Sequence, residues 1–185
     1  MKGRMRRFLL LLLLVPTFAQ AADVWTTPYT GVRRLQRTLS APNMRIHALE
    51  VDLTAPGVSL TSTATAQRKR TPSAFAKLVG AQAAINGDFF SFSTYGTSGL
   101  AAGSGVKWGD TTDNTGSGVF AFDQVVGATR VELYPPAQVN AFDPVWMKGV
   151  VSGHPRIVGA GVLSATSGTL CTGRNPRTAI GISQP

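Results

Sequence analysis

The amino-acid sequence predicts an α+β fold, built on a mixed, largely antiparallel β-sheet with few helices. Short apolar or alternating segments indicate strands, and glycines and prolines interrupt them roughly every 8–12 residues. One early segment has the capping residues and the apolar spacing of a helix. The sequence has no repeat of fixed period. Strands that outnumber helices in this way are typical of a sheet whose helices are segregated to one side.

Residues 1–21 have the three parts of a cleavable secretory signal peptide. A basic start precedes an apolar run over residues 8–15, and Ala19 and Ala21 bracket Gln20 as a small-residue cleavage site. The alternative is a membrane anchor, but the apolar run is well short of the roughly 20 residues that cross a bilayer. We therefore expect an exported protein, secreted or periplasmic, with no stable membrane insertion after cleavage.

The leader also sets the predicted domain organisation, with an N-terminal extension over residues 22–43 and one domain over residues 44–185. Cleavage removes four of the 18 basic residues and none of the nine acidic ones, so the net charge falls from +9 to +5. Outside the signal peptide, the dense run of basic residues is at residues 68–70. A solvated loop explains this run better than a nucleic-acid-binding surface does. We expect no nucleic-acid partner.

The first predicted strand covers residues 44–53, where apolar and polar residues alternate and Leu49 and Val51 share one face. A second strand over residues 58–65 is expected to pair with it across a turn. The helix that follows begins at Thr71, a capping residue, and Pro72, and it ends at Gly80. Its buried face would carry Phe75, Leu78 and Val79.

Further strands are predicted beyond the helix, at residues 83–90, 119–123, 129–134, 150–158 and 177–182. The strand at residues 150–158 is interrupted near His154. Residues 91–118 are rich in glycine, serine and threonine, and so long a loop is unusual unless it forms a binding site or contains short strands.

The sequence excludes several common catalytic sites. It has no phosphate-binding loop of the GK[ST] type and no G-x-S-x-G nucleophile elbow. One cysteine, Cys171, cannot form an internal disulfide, and the two histidines, His47 and His154, lack the spacing of a zinc site. We expect no resident metal and no cofactor, with a divalent cation left open as an alternative.

Two polar segments are candidates for a functional site. In Asn86-Gly87-Asp88, a turn at Gly87 would present an amide and a carboxylate, and Asp88 could act as a general acid or base, bind a sugar hydroxyl or ligate a hard cation. A plain hairpin turn is the alternative. In the second segment, residues 174–178, Arg177 precedes an apolar stretch and would bind an anion such as a phosphate or form an internal salt bridge.

Three segments, in this order along the chain, resemble the phosphodiester glycosidase family. They are AAINGDFF at residues 83–90, GVVSGHPRIV at residues 149–158 and RNPRTAIGI at residues 174–182. The resemblance covers roughly residues 44–182. It implies hydrolysis of a sugar-1-phosphodiester, which releases the sugar and leaves a phosphomonoester.

The resemblance also implies roles for single residues. Asp88 and Arg177 would be catalytic. The carboxyl group of Asp88 would donate or accept protons, and the guanidinium of Arg177 would bind the phosphate. The substrate would contact Asn86, Gly87, His154, Thr178 and Arg177. In the family, the strand begun by PRTAIG leads to further segments. We therefore expect the domain to be incomplete at its C-terminus. The second catalytic carboxylate would then lie in the absent part, which leaves the activity of this chain in doubt.

Two alternatives stay open from the sequence. One is a non-catalytic glycan-binding protein of the cell envelope, in which Trp108 stacks on sugar rings. The other is a structural exported domain in which Asn86-Gly87 is only a turn and Arg177 is only a salt bridge.

Overall fold

The computed structural model describes residues 22–111, 117–123, 130–135, 142–164 and 167–183. The signal peptide predicted for residues 1–21 lies outside these ranges. The chain divides into two compact units, Met1–Val51 and Asp52–Pro185. The predicted boundary between an extension and a domain, at residues 43/44, falls inside the first unit and stays a prediction.

The described part of the first unit is one three-stranded antiparallel sheet in the order β1-β2-β3. Its strands are β1, Ala22–Tyr29; β2, Val32–Ser40; and β3, Asn43–Val51. Gly31, with φ +73°, makes the turn between β1 and β2 in a conformation that glycine adopts without strain. Residues 22–43, predicted as an N-terminal extension, therefore contain two regular strands.

The pairing of β3 corrects one prediction. β3 pairs with β2 along its whole length, from Val32 opposite Val51 to Ser40 opposite Asn43. The strand predicted at residues 58–65 does not form, and β2 is the strand that pairs with β3 instead. That segment is irregular up to a short 3₁₀ helix at Thr65–Gln67.

Helix α1, Pro72–Val79, follows in the second unit, where the capping residues predicted it. The hydroxyl of Thr71 accepts a hydrogen bond from the N–H of Ala74 at 3.3 Å, and Gly80 ends the helix with φ +70°. The predicted buried face is only half-buried at Phe75 and Val79 and is wrong at Leu78, whose exposure is 50%.

A five-stranded antiparallel sheet in the order β5-β4-β8-β6-β7 holds the core of the second unit. Its strands are β4, Ala102–Gly103; β5, Val106–Lys107; β6, Gly118–Phe122; β7, Val131–Tyr134; and β8, Gly149–Gly153. The core cluster consists of Leu100, Ala102, Val119, Ala121, Met147 and Val150. A hairpin of β9, Val158–Gly159, and β10, Val162–Leu163, and a short helix α2, Thr169–Thr172, complete the elements.

The fold class is as predicted, a mostly antiparallel β structure with few helices. The strands expected at residues 119–123 and 129–134 are confirmed as β6 and β7, and the break near His154 is confirmed between β8 and β9. The long segment 91–118 does contain short strands. The strands expected at residues 83–90 and 177–182 do not form, since neither segment pairs in a ladder with a described strand. Of the helices described, none is long and apolar enough to cross a membrane.

Candidate active site

Asp88 lies against β8, and a reciprocal pair of hydrogen bonds attaches it to Ser152. The backbone N–H of Asp88 donates to the carbonyl of Ser152 at 3.1 Å, and the N–H of Ser152 donates to the Asp88 carboxylate at 2.6 Å. The Ser152 hydroxyl in turn donates to the carbonyl of Leu100 at 2.5 Å. Because Ser152 is 5% exposed and Leu100 is in the core, the carboxyl group of Asp88 is fixed to the sheet.

The backbone of Asp88 has φ +60°, a left-handed conformation that costs a residue other than glycine free energy but that Asp and Asn adopt more readily than most. Such conformations are often found where function dictates the backbone. The sharp corner is thus at Asp88, one residue later than the predicted turn at Gly87.

Burial raises the pKa of Asp88 to about 7, and the N–H of Ser152 partly opposes the shift because it favours the charged form. A carboxyl group in this state is largely neutral in mildly acidic solution and exchanges its proton near neutrality. General acids and bases are most effective when their pKa lies near the working pH.

Gly87 brings the corner close to β8. A Cβ atom added at this position would lie 2.3 Å from Cγ1 of Val151, a distance that requires a neighbour to move. Glycine therefore permits the close approach on which the Asp88–Ser152 hydrogen bonds depend. This is a packing role, in addition to the substrate contact that the resemblance implies.

Asn86 connects the two polar candidate segments. The hydroxyl of Thr178 donates to Oδ1 of Asn86 at 2.7 Å, across 92 positions of the chain. Both residues are exposed. The corner at residues 86–88 and the segment at residues 174–178 therefore meet at one place on the second unit.

His154 lies at the same corner, where its ring is 5.3 Å from the ring of Phe89 in an edge-to-face arrangement. The histidine is exposed. Phe89 and Phe90, which follow the corner, are 48% and 42% exposed. They form aromatic surface beside Asp88, with Phe90 stacked on Tyr95 at 5.8 Å.

Arg177 is exposed, and two of its hydrogen bonds go to carbonyl groups of its own segment. Nη1 donates to Pro176 at 3.2 Å and Nη2 donates to Gly173 at 3.3 Å. With the amide of Asn175 turned so that its oxygen faces the guanidinium, Oδ1 accepts from Nη2 at 3.3 Å. These bonds curl residues 173–177 around the arginine and fix its position next to Thr178.

Trp108 does not form a sugar-stacking surface. It is 7% exposed, its Nε1 donates to the carbonyl of Thr63 at 3.0 Å, and the guanidinium of Arg68 lies 4.9 Å from its ring centre. Arg68 also pairs with Asp110 at 2.6 Å. The basic run at residues 68–70 thus contributes to packing, and the suggestion that Trp108 binds glycans is corrected.

Within the described ranges, no group of three or more His, Cys, Asp or Glu side chains is placed to hold a metal ion. Cys171 lies exposed in α2 and is unpaired. The corner itself offers a carboxyl group, an amide, a hydroxyl and an imidazole, which suits sugar and phosphate oxygens.

We define the corner cluster as Asn86, Asp88, Ser152, His154 and Thr178. With the exception of Ser152, its members were identified from the sequence. Ser152 could have been noticed as the polar residue of the otherwise apolar strand GVVSG at residues 149–153. Nothing in the neighbouring sequence, however, indicates that its backbone contacts Asp88.

Comparison with known proteins identifies the family of this chain. Residues 79–185 match the family model described as phosphodiester glycosidase, a match that covers more than half of the chain and includes the whole corner cluster. The chain belongs to the phosphodiester glycosidase family. Comparisons with curated proteins and with solved structures found no match. The resemblance inferred from the three segments is confirmed, and membership places the chain in a family of glycosidases.

Proposed function

We propose that this phosphodiester glycosidase family member is an exported hydrolase that cleaves sugar-1-phosphodiester bonds. The observation that carries the proposal is the hydrogen bond between Thr178 and Asn86, because it joins the two polar segments inside the region that the family model matches. Sugar phosphodiesters of the cell envelope are the substrates that an exported enzyme would meet, and the leader-like residues 1–21 support the export.

Asp88 acts as the general acid in this proposal. Because burial raises its pKa to about 7, a substantial fraction of its carboxyl groups holds a proton near neutrality. It donates that proton to the bridging oxygen as the bond to the sugar C1 breaks, and water adds to the sugar, giving free sugar and a phosphomonoester. A neutral carboxyl group also does not repel the anionic phosphodiester, whereas a carboxylate would.

Arg177 binds the phosphate, because a guanidinium matches two phosphate oxygens with two parallel N–H donors. Asn86, Thr178 and His154 offer donors and acceptors for sugar hydroxyls. The exposed Phe89 supplies an apolar face beside them, a common complement to a sugar ring.

The test is release of free sugar from a panel of sugar-1-phosphodiesters by the full chain. Asp88→Asn is expected to lower kcat by about 10²–10⁴, the usual contribution of general acid–base catalysis. Arg177→Ala is expected to raise KM and lower kcat. Matched controls are Asp52→Asn and Arg70→Ala, which make the same changes of charge at exposed residues outside the two candidate segments and should leave kcat within about twofold of the original.

The pH dependence of the hydrolysis rate shows whether Asp88 donates a proton or accepts one. The acid is protonated below its pKa, so the rate should fall as the pH rises through about 7, and this alkaline limb should be absent in Asp88→Asn. A rate that instead rises through the same pH would show that Asp88 works as a base and would refute its role as the acid.

The alternative is a non-catalytic glycan-binding protein on the same scaffold. Binding of a sugar phosphodiester without release of sugar, lost in Arg177→Ala, would support it over the hydrolase. A protein that neither binds the sugar phosphodiester nor releases sugar, and whose free energy of unfolding falls in Arg177→Ala, would support the structural domain.

A further inference from the structure

The first unit carries a cleft that belongs to no part of the corner cluster. Its volume is about 280 Å³, and it lies on the sheet of β1, β2 and β3. The residues that line it are Ala22, Val24, Gln36, Arg37, Thr38, Arg45 and His47.

The strand register explains which side chains meet there. Residues directly opposite in an antiparallel pair project from the same face of the sheet, and neighbours along a strand alternate between faces. Thr38 lies between Ala22 and Arg45, and Gln36 lies between Val24 and His47. These six side chains therefore share one face, which we call the cleft face.

The charges of the sheet are divided unequally between its faces. Residues 22–51 contain two acidic residues, Asp23 and Glu50. Asp23 binds Arg37 at 2.6 Å and Glu50 binds Arg33 at 3.1 Å, and the register places both ion pairs on the face opposite the six side chains above. Arg37 still borders the cleft, because it lies between Gln36 and Thr38 along β2. The cleft face is left with basic side chains and no carboxylate of this sheet.

Arg34 belongs to the same face, since it lies opposite Thr26 and Leu49. Arg45 and His47 are two residues apart on β3, which separates their backbones by about 7 Å. An arginine side chain spans that distance easily, so both groups can contact one bound anion. Gln36 and Thr38 add neutral donors beside them, and Val24 adds an apolar surface.

We propose that the cleft face binds the phosphate group of a ligand, with Arg45 as the principal contact and His47, Gln36 and Thr38 around it. A guanidinium is the side chain best matched to phosphate oxygens. The two sources of such a group are a small phosphate ester and the repeating phosphodiester of an envelope polymer. The site lies in a different unit from Asp88, so the proposal stands whether or not the chain hydrolyses sugar phosphodiesters.

The experiment is titration calorimetry on the full chain carrying Arg177→Ala, so that the candidate active site contributes no phosphate contact through that arginine. The probes are inorganic phosphate, glucose 1-phosphate and a glycerol-phosphate polymer, with glucose as the uncharged control. We expect binding of at least one phosphate probe, no binding of glucose, and an affinity that falls with added salt. Tighter binding of the polymer per phosphate would identify the polymer as the source.

Arg45→Gln should weaken this binding by about tenfold, the usual effect of losing one charge-assisted hydrogen bond. Arg33→Gln is the matched control, because it removes the same charge from the opposite face and should change the affinity by less than about twofold. His47→Gln is a second variant on the cleft face, with a smaller expected loss. Circular dichroism checks that each variant folds.

Three results would overturn the proposal. They are no binding of any phosphate probe, equal losses in Arg45→Gln and Arg33→Gln, and binding of glucose as strong as that of glucose 1-phosphate. Equal losses would mean that the net charge of the protein, and not the cleft face, attracts the anion.

Discussion

In the sheet of β1, β2 and β3, both ion pairs join residues that lie directly opposite each other in the strand register, whereas the contacts around Asp88 join segments without such pairing. Asp23 faces Arg37, and Arg33 faces Glu50. Asp88 instead reaches Ser152 across 64 positions, and Asn86 reaches Thr178 across 92. In the sheet, the regular register of the strands brings charged residues opposite each other. In the corner cluster, each contact depends on a particular residue at one position. Substitutions should therefore be better tolerated in the first unit than at the corner.

The largest expected effect follows from the close approach of Gly87 to β8. Gly87→Ala should lower the free energy of unfolding by about 1–3 kcal/mol, because its methyl group would overlap the side chain of Val151. Urea denaturation measures the change. Gly153→Ala is the control, since an added methyl group there meets no atom within 4 Å.

A second substitution tests the cause of that loss. The double variant Gly87→Ala with Val151→Ala should lose less stability than the two single losses added together, because the overlap is relieved. Additive losses would contradict a steric origin and would weaken the contrast between the two regions.

A smaller effect is expected from the link between the two polar segments. Thr178→Val removes the hydroxyl that donates to Asn86 and should cost about 0.5–1.5 kcal/mol, toward the lower end because both residues are exposed. A double-mutant cycle with Asn86→Ala isolates the coupling between the two side chains. A coupling energy of zero would mean that the hydrogen bond does not hold the segments together in solution.

The smallest effect is expected in the first unit. Arg33→Met should cost at most about 1 kcal/mol, since the ion pair with Glu50 is exposed and solvent screens it. The cost should shrink in high salt. Arg34→Met, one residue along and without this pairing, serves as the reference. A loss at Arg33 as large as that of Gly87→Ala would remove the distinction between the two regions.

The sequence predicted correctly those ends of helices and strands that capping residues, glycine and proline determine. Thr71, Pro72 and Gly80 fixed the limits of α1, and the glycine and proline near His154 fixed the break after β8. The strands expected at residues 58–65, 83–90 and 177–182 failed for a common reason. A strand is stable only beside a partner, and the sequence does not say which apolar segment obtains one.

The candidate site was predictable in its residue types and not in its contacts. The corner Asn86-Gly87-Asp88 and the segment containing Arg177 were recognisable as polar groups beside apolar segments, and family resemblance connected them. The attachment of Asp88 to Ser152 was not predictable, because Ser152 takes part through its backbone N–H and carbonyl, groups that almost every residue possesses. The same is true of the raised pKa of Asp88, which depends on burial by the folded chain.

The exposed thiol of Cys171 makes the chain convenient for spectroscopy. The sequence has one cysteine, so a maleimide dye would attach at a single position without any substitution. That position lies two residues before the segment that curls around Arg177. A dye there would report changes in the surroundings of Arg177 when a phosphate ester is added. Fluorescence from one natural attachment point could thus follow the segment of the candidate active site that carries Arg177.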